Sequence, residues 1–170
     1  MIDFIQQLKH RNETLFYFGA LCLLFSVIFI ALTKFTNTQV FNVNAWYKPF
    51  KFAFSTVLFS WAMVWYCYYL PNFNVKMFSW SVIILFGFEI FYIALQASKG
   101  QLSHYNLSTP VYSVLFSMMA LAASAVTLYT AYVGLLFFKN DSIFGIILNT
   151  PIEPVIVDSL ANTLLALHAM

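Results

Sequence analysis

The chain reads as an all-α polytopic transmembrane helix bundle. It has four clear spans, about 15-33, 52-70, 78-97 and 110-138, and a C-terminal helix that is interfacial or a partial fifth span. Three observations predict this class. The first is composition: 62% of the 170 residues are apolar and only 8% are charged, where a soluble domain carries about 25% charged residues. The second is length: four apolar runs approach or exceed the ~20 residues needed to cross a bilayer as a helix. The third is the aromatic content, 20 Phe and 10 Tyr; Phe suits lipid-facing surface, and Tyr and Trp suit the membrane interface.

The first run, Leu15 to Thr33, follows Lys9, His10 and Arg11 and so superficially resembles a signal peptide. Its apolar stretch exceeds the usual ~7–15-residue h-region and no small-x-small cleavage site follows, so a retained helix is expected. The second run, Phe52 to Leu70, stops at Pro71 and concentrates Trp61, Trp65, Tyr66, Tyr68 and Tyr69 toward its end, the pattern of an interfacial belt. The third runs from Phe78 to Ala97. The short link Pro71 to Met77 makes helices two and three an antiparallel hairpin.

The fourth run starts at Pro110, a normal residue for a first helical turn, and continues to Phe138. At roughly 28 residues it must tilt, kink or emerge from the membrane. Beyond it, Ile143 to Leu148 is too short to span. Pro154 to Met170 reads equally as an interfacial helix or an incomplete span, because Glu153, Asp158 and Asn162 weaken it. Residues 1–170 form one integral membrane domain, without internal repeats or low-complexity linkers.

Charge does not orient the chain. Lys9, Arg11, Lys76 and Lys139 fall on one side and Lys34, Lys48, Lys51 and Lys99 on the other, an even balance for the positive-inside rule. If Lys48 and Lys51 serve a site, the balance tips to a cytoplasmic N-terminus. The expected location is the cell (inner, cytoplasmic) membrane, with a multi-pass topology.

Glu89 is the residue that asks for a function. A carboxylate at the centre of a membrane helix costs roughly 2.5–3.5 kcal/mol on insertion scales, so such residues usually face a polar partner inside the protein. Counting back from Ala97, Glu89 sits about 12 Å below the membrane face at 1.5 Å per residue. On that same face lie the first and third loops and the adjoining helix ends. They carry Trp46, Lys48, Lys51, Ser55, Gln96, Lys99, Ser103, His104 and Asn106. Lys48, Lys51 or Phe52, and Ser55 share a helical face, as do Glu89 and Gln96. Two polar stripes on adjacent helices predict one polar pocket, in which a Lys51–Glu89 pair is geometrically feasible. The bland readings stand beside this one: lysines before a span are ordinary snorkelling anchors, Glu89 is satisfied by Ser, Tyr or Gln neighbours, and His104, Ser103 and Asn106 make ordinary loop hydrogen bonds.

Several chemistries lack their signatures. There is no G-x-S-x-G, H-E-x-x-H or Gly-rich phosphate loop. His10, His104 and His168 all lie outside the four spans, which disfavours a haem held between helices. Glu89, His104 and His168 have no metal-ligand spacing. Cys22 and Cys67 fall inside apolar runs and read as small buried hydrophobes. No cofactor or metal is expected, no catalytic residue is assigned, and the small, scattered net charge of +2 disfavours nucleic acid.

Trp46-Tyr47-Lys48-Pro49-Phe50-Lys51-Phe52 with Ser55 matches W-x-K-P-x-K-F-x-x-S. Gln96-Ala97-Ser98-Lys99-Gly100-Gln101-Leu102-Ser103-His104-Tyr105-Asn106 looks like Q-A-x-R-G-x-x-S-H-F-N, with Tyr105 for the Phe and Glu89 upstream. Together these resemble a family of small multispanning bacterial membrane proteins that brings no established reaction. The resemblance covers about Asn44 to Phe138 and implies that the two segments work together. The chain departs from the pattern at Lys99, where Arg is usual, which loses a bidentate anion fork. It also ends before the further helices and the His-bearing segment expected of the family.

Three functions follow as expectations. The first is binding or transport of an anionic small molecule or lipid headgroup between helices two and three, with Glu89 as buried counter-ion or proton-coupled acid. The second is an intramembrane lipid hydrolase or transferase using Ser55 or His104, ranked below binding. The third is a structural or accessory subunit of a membrane complex, packing through small-residue stretches such as Ala120 to Ala125. The expected partners are the lipid bilayer, the anionic ligand, and a second copy of the chain or another membrane protein.

Overall fold

The computed structural model describes residues 2–70, 72–106 and 108–138. The elements are α1 (Ile2–Arg11), α2 (Glu13–Phe35), β1 (Gln39–Val40), β2 (Val43–Asn44), α3 (Tyr47–Cys67), α4 (Val75–Ser98) and α5 (Pro110–Phe138). Helices α2 to α5 are each long and apolar enough to cross a membrane. The protein is an all-α bundle with a multi-pass membrane architecture. The expected C-terminal helix lies outside the described residues.

The short helix α1 is an element the hydropathy pattern did not predict. It is polar enough to stay out of the apolar runs, but Leu8 is buried beneath it. Asn12 separates it from α2. The Asn12 side chain accepts from the Leu15 N–H at 3.1 Å, an N-cap, and donates to Ser79 Oγ at 2.7 Å on α4. One residue thus starts α2 and ties the α1–α2 junction to α4.

Helix α3 is the centre of the bundle. Over half of its spanning window, 56%, is buried, against 17% for α5. Gly19 lets α2 and α3 approach closely: a Cβ there would sit 2.5 Å from Trp61 Nε1. That indole donates to the Phe16 carbonyl at 3.4 Å. On its other side α3 grips α4, where Phe86 meets Phe52 and Phe59 edge-on at ring separations of 5.9 and 5.2 Å. Tyr129 of α5 packs edge-on to Phe78 at 5.0 Å.

Two boundaries differ from expectation in ways that matter for the site. Helix α3 begins at Tyr47, not Phe52, because Pro49 is tolerated in a first turn, where its missing N–H costs nothing. Lys48 and Lys51 therefore stand on helix, with fixed directions. The preceding loop is not featureless either. Gln39 pairs with Asn44, and Val40 with Val43, in a minimal antiparallel hairpin. Its turn residues Phe41 and Asn42 have φ of +52° and +61°, the signs a type I′ turn requires; Asn accepts them easily and Phe does not.

Candidate ligand-binding cavity

A cavity of about 370 Å³ opens at the face where α2 ends and α3 begins. The hairpin forms one wall through Val40, Phe41, Val43 and Asn44. The first turns of α3 form a second through Tyr47, Lys48, Pro49 and Lys51. The end of α4 and the loop after it close the third through Ile93, Ala97, Gln101, Leu102 and Ser103. The first and third loops do meet across this surface.

Each wall is held by identifiable bonds. Asn44 Nδ2 donates to the carbonyls of Thr33 at 3.1 Å and Thr36 at 2.8 Å, at the C-terminal end of α2. Its Oδ1 accepts from the Trp46 N–H at 3.0 Å, just ahead of α3. Asn44 is thus a clasp between α2, the hairpin and α3. On the opposite wall α4 ends in a Schellman motif. The Gln101 N–H bonds to Gln96 O at 2.9 Å and the Gly100 N–H to Ala97 O at 3.1 Å, with Gly100 at φ +64°. The Q-A-S-K-G segment is therefore a helix stop, and its glycine is needed for backbone reasons.

Among the sequence-selected residues, Lys48, Lys51 and Ser103 line the cavity. His104 sits behind Ser103, with Nδ1 3.1 Å from Ser103 Oγ and its ring edge-on to Phe116 at 6.3 Å. Burial, with a smaller contribution from the Lys48 charge, holds its imidazole pKa down to about 4. Glu89 and Gln96 are both buried on α4, flanking Ile93 of the cavity wall. Gln96 Nε2 donates to Tyr92 Oη at 2.8 Å.

The others stand apart from the cavity lining. Trp46 stacks on Phe29 at 5.7 Å and secures the start of α3 to α2. Ser55 Oγ donates to backbone carbonyls of its own helix, Lys51 at 2.9 Å and Phe52 at 3.0 Å. Lys99 is exposed at the end of α4. Asn106 organises its loop, donating to Leu102 O at 3.1 Å and accepting from the Ser108 N–H and Oγ at 3.2 and 2.6 Å. The Lys51–Glu89 pair is not formed as a direct contact. The one ion pair among the described residues is the exposed Lys9–Glu13, at 4.0 Å.

Three buried oxygens have no hydrogen-bond partner among the described residues: Glu89 Oε1, Gln96 Oε1 and Ser60 Oγ. Buried polar atoms nearly always find partners, so these three, two on α4 and one on α3, stand out from the rest of the described core. Ser60 and Tyr92 escaped the sequence reading. Tyr92 was detectable, since it lies three residues after Glu89 and four before Gln96, on the same helical surface. Ser60, a lone hydroxyl in an apolar run, had no such signal. No group of three His, Cys, Asp or Glu residues able to hold a metal occurs among the described residues.

Comparison of the chain with known protein families, characterised proteins and solved structures finds no match to any of them.

Proposed function

We propose that the protein binds an anionic small molecule or lipid headgroup in this cavity, and that binding is the first step of its transport or presentation at the membrane. One observation carries the reading. Two lysines from the first turns of α3 enter a cavity of about 370 Å³ that has no acidic residue in its lining. Cationic side chains at a membrane face attract phosphate and carboxylate groups, by roughly 1 kcal/mol per residue near the surface. The rest of the lining is mostly apolar, which suits a ligand with an apolar body and one charged end.

Glu89 deepens the reading. It lies about one turn below Ile93, and one of its oxygens has no hydrogen-bond partner among the described residues. A buried acid beneath an anion site is the arrangement in which anion binding and proton or cation uptake become coupled. The family resemblance fits as well, because the W-x-K-P-x-K-F and Q-A-x-R-G-x-x-S-H-F-N segments it pairs are those that form two walls of the cavity.

The test uses purified full-length protein in detergent, titrated with a panel of anionic lipids and short-chain carboxylates and followed by tryptophan fluorescence. Lys48→Ala and Lys51→Ala are each expected to weaken binding severalfold, Glu89→Gln to remove its pH dependence, and Lys34→Ala to leave it intact. Equal effects of all four substitutions would sink the reading.

One observation favours a second reading, an intramembrane lipid hydrolase or transferase. Ser103 Oγ and His104 Nδ1 are 3.1 Å apart at the cavity wall, within reach for a nucleophile and its base. An imidazole with its pKa held at about 4 is a weak base near neutrality, which ranks this reading second. Covalent labelling by a fluorophosphonate that is lost in Ser103→Ala would promote it, as would stoichiometric zinc in the purified protein.

A further inference from the structure

The opposite end of the bundle holds a second cationic feature, built differently. Arg11, the last residue of α1, is clasped by aromatic residues in the last turn of α3 and just beyond it. Its guanidinium carbon lies 3.6 Å from the Trp65 ring centre, 4.5 Å from that of Tyr68 and 5.0 Å from that of Tyr69. One terminal nitrogen donates to the Trp65 carbonyl at 3.4 Å and the other to the Tyr69 hydroxyl at 3.2 Å. A guanidinium has five N–H donors in a rigid plane, so about three remain for other partners.

Arg11 also lines a cleft of about 430 Å³, together with Gln6, Gln7, His10 and Tyr68. None of these lining residues is acidic. Four of the five present polar side chains from α1 alone, and the fifth is a tyrosine. Gln6, Gln7 and His10 are exposed, and their side chains form no hydrogen bond with other described residues.

We propose that this cleft is a second, separate anion site, which takes the phosphate of an anionic phospholipid on the Arg11 fork. Two observations favour a lipid over free phosphate. Trp65, Tyr68 and Tyr69 straddle the end of a membrane-spanning helix, the position of the aromatic belt and hence the headgroup level. Phe4 and Ile5 are exposed on the same short helix, available to acyl chains just below a bound headgroup. The guanidinium geometry matches two phosphate oxygens at once, which an ammonium cannot do. Trp65 and Tyr69 meanwhile hold the fork in place, so little side-chain entropy remains to be lost on binding.

The experiment uses the full chain in dodecylmaltoside, carrying Lys48→Ala and Lys51→Ala so that the cavity at the other face is silent. Native mass spectrometry reads retention of phosphatidylglycerol, phosphatidylcholine and inorganic phosphate in separate arms. Phosphatidylglycerol is expected to be retained in preference to both others. Arg11→Lys keeps the charge, loses the fork, and is expected to weaken retention about tenfold, equivalent to about 1.4 kcal/mol. The double variant Gln7→Ala/His10→Ala leaves the aromatic clasp intact and is expected to weaken it severalfold, so the proposal stays testable even if Arg11→Lys misfolds. Lys9→Gln, outside the cleft lining, is expected to bind as the parent does. Retention unchanged in both cleft variants would overturn the site. Inorganic phosphate held as well as the lipid would overturn the lipid assignment. Failure of the Lys48 and Lys51 cavity to bind any anion leaves these outcomes unaffected.

Discussion

At the scale of single residues, two glycines on spanning helices make opposite predictions. A Cβ at Gly19 meets the Trp61 indole at 2.5 Å, whereas one at Gly87 meets nothing within 4 Å. Gly19→Ala must therefore displace the Trp61 indole, or α3 with it, and a loss of about 1–3 kcal/mol is expected, as for other overpacked cores. Gly87→Ala is expected to be neutral or to stabilise by up to about 1 kcal/mol through helix propensity. Thermal unfolding of the two variants in one detergent checks both; equal shifts would contradict the packing.

His104 makes a prediction in pH. Its pKa is about 4 when folded against an ordinary 6.5. As pH falls below 6.5 the unfolded chain takes up a proton that the folded chain resists. The stability linked to neutral His104 is thus complete above about 6.5 and lost progressively toward 4. Thermal unfolding between pH 7 and pH 4.5 is expected to show that loss, and His104→Gln to flatten it. An unchanged slope in the variant would remove His104 from the account.

Among the elements, the connections rather than the spans shape the cavity. Asn44 makes three hydrogen bonds, joining the end of α2 to the start of α3. Asn44→Ala frees these partners and is expected to cost about 1–3 kcal/mol. It should also loosen the hairpin wall, so anion binding at Lys48 and Lys51 should weaken as well. A variant that loses stability without losing affinity would show that the hairpin is not needed to shape the site. The helical spans were legible because long apolar runs admit few alternatives. The apolar run starts five residues after α3 does because Lys48, Pro49 and Lys51 break its hydropathy, although Lys48, Lys51 and Ser55 were already expected to share a helical face; Trp46 packed on Phe29 secures the true start. Helix α1 was overlooked for the converse reason: it is too polar to register as a span, and its helical state is secured by burying Leu8 and by the Arg11 contacts with α3.

For the whole molecule, the four spans put α2's end, the hairpin and the loop after α4 on one face, and α1 and the α3–α4 turn on the other. Single cysteines report this directly, in a background with Cys22 and Cys67 replaced by alanine. Cysteines at Lys34, Lys99 and Gln101 are expected to react with an impermeant maleimide from one side of sealed vesicles. Cysteines at Lys9 and Lys76 are expected to react only from the other. A Gln101 site labelled together with the Lys76 site would break the four-span topology. The result also orients the protein, which the even distribution of lysine and arginine leaves undetermined.

The sequence by itself determined the membrane class, the four helices and the single costly acid, because burial in lipid demands long uncharged helical runs and makes a carboxylate conspicuous. It also paired the Lys48–Lys51 segment with the Ser103–His104 segment by helix-parity reasoning. Only the tertiary structure decided which of these groups share a cavity. It brought Lys48, Lys51 and Ser103 to one cavity wall or another, left Lys99 outside the lining, and turned Ser55 and Asn106 to local hydrogen bonds. It also placed Arg11 in an aromatic clasp at the far face. The reason is physical. Periodicity assigns a residue to a side of its own helix, whereas a cavity depends on how closely helices approach and how connecting turns are bonded. Here those are set by individual contacts such as Gly19 against Trp61 and Asn44 against Thr36, which leave no periodic trace in the chain.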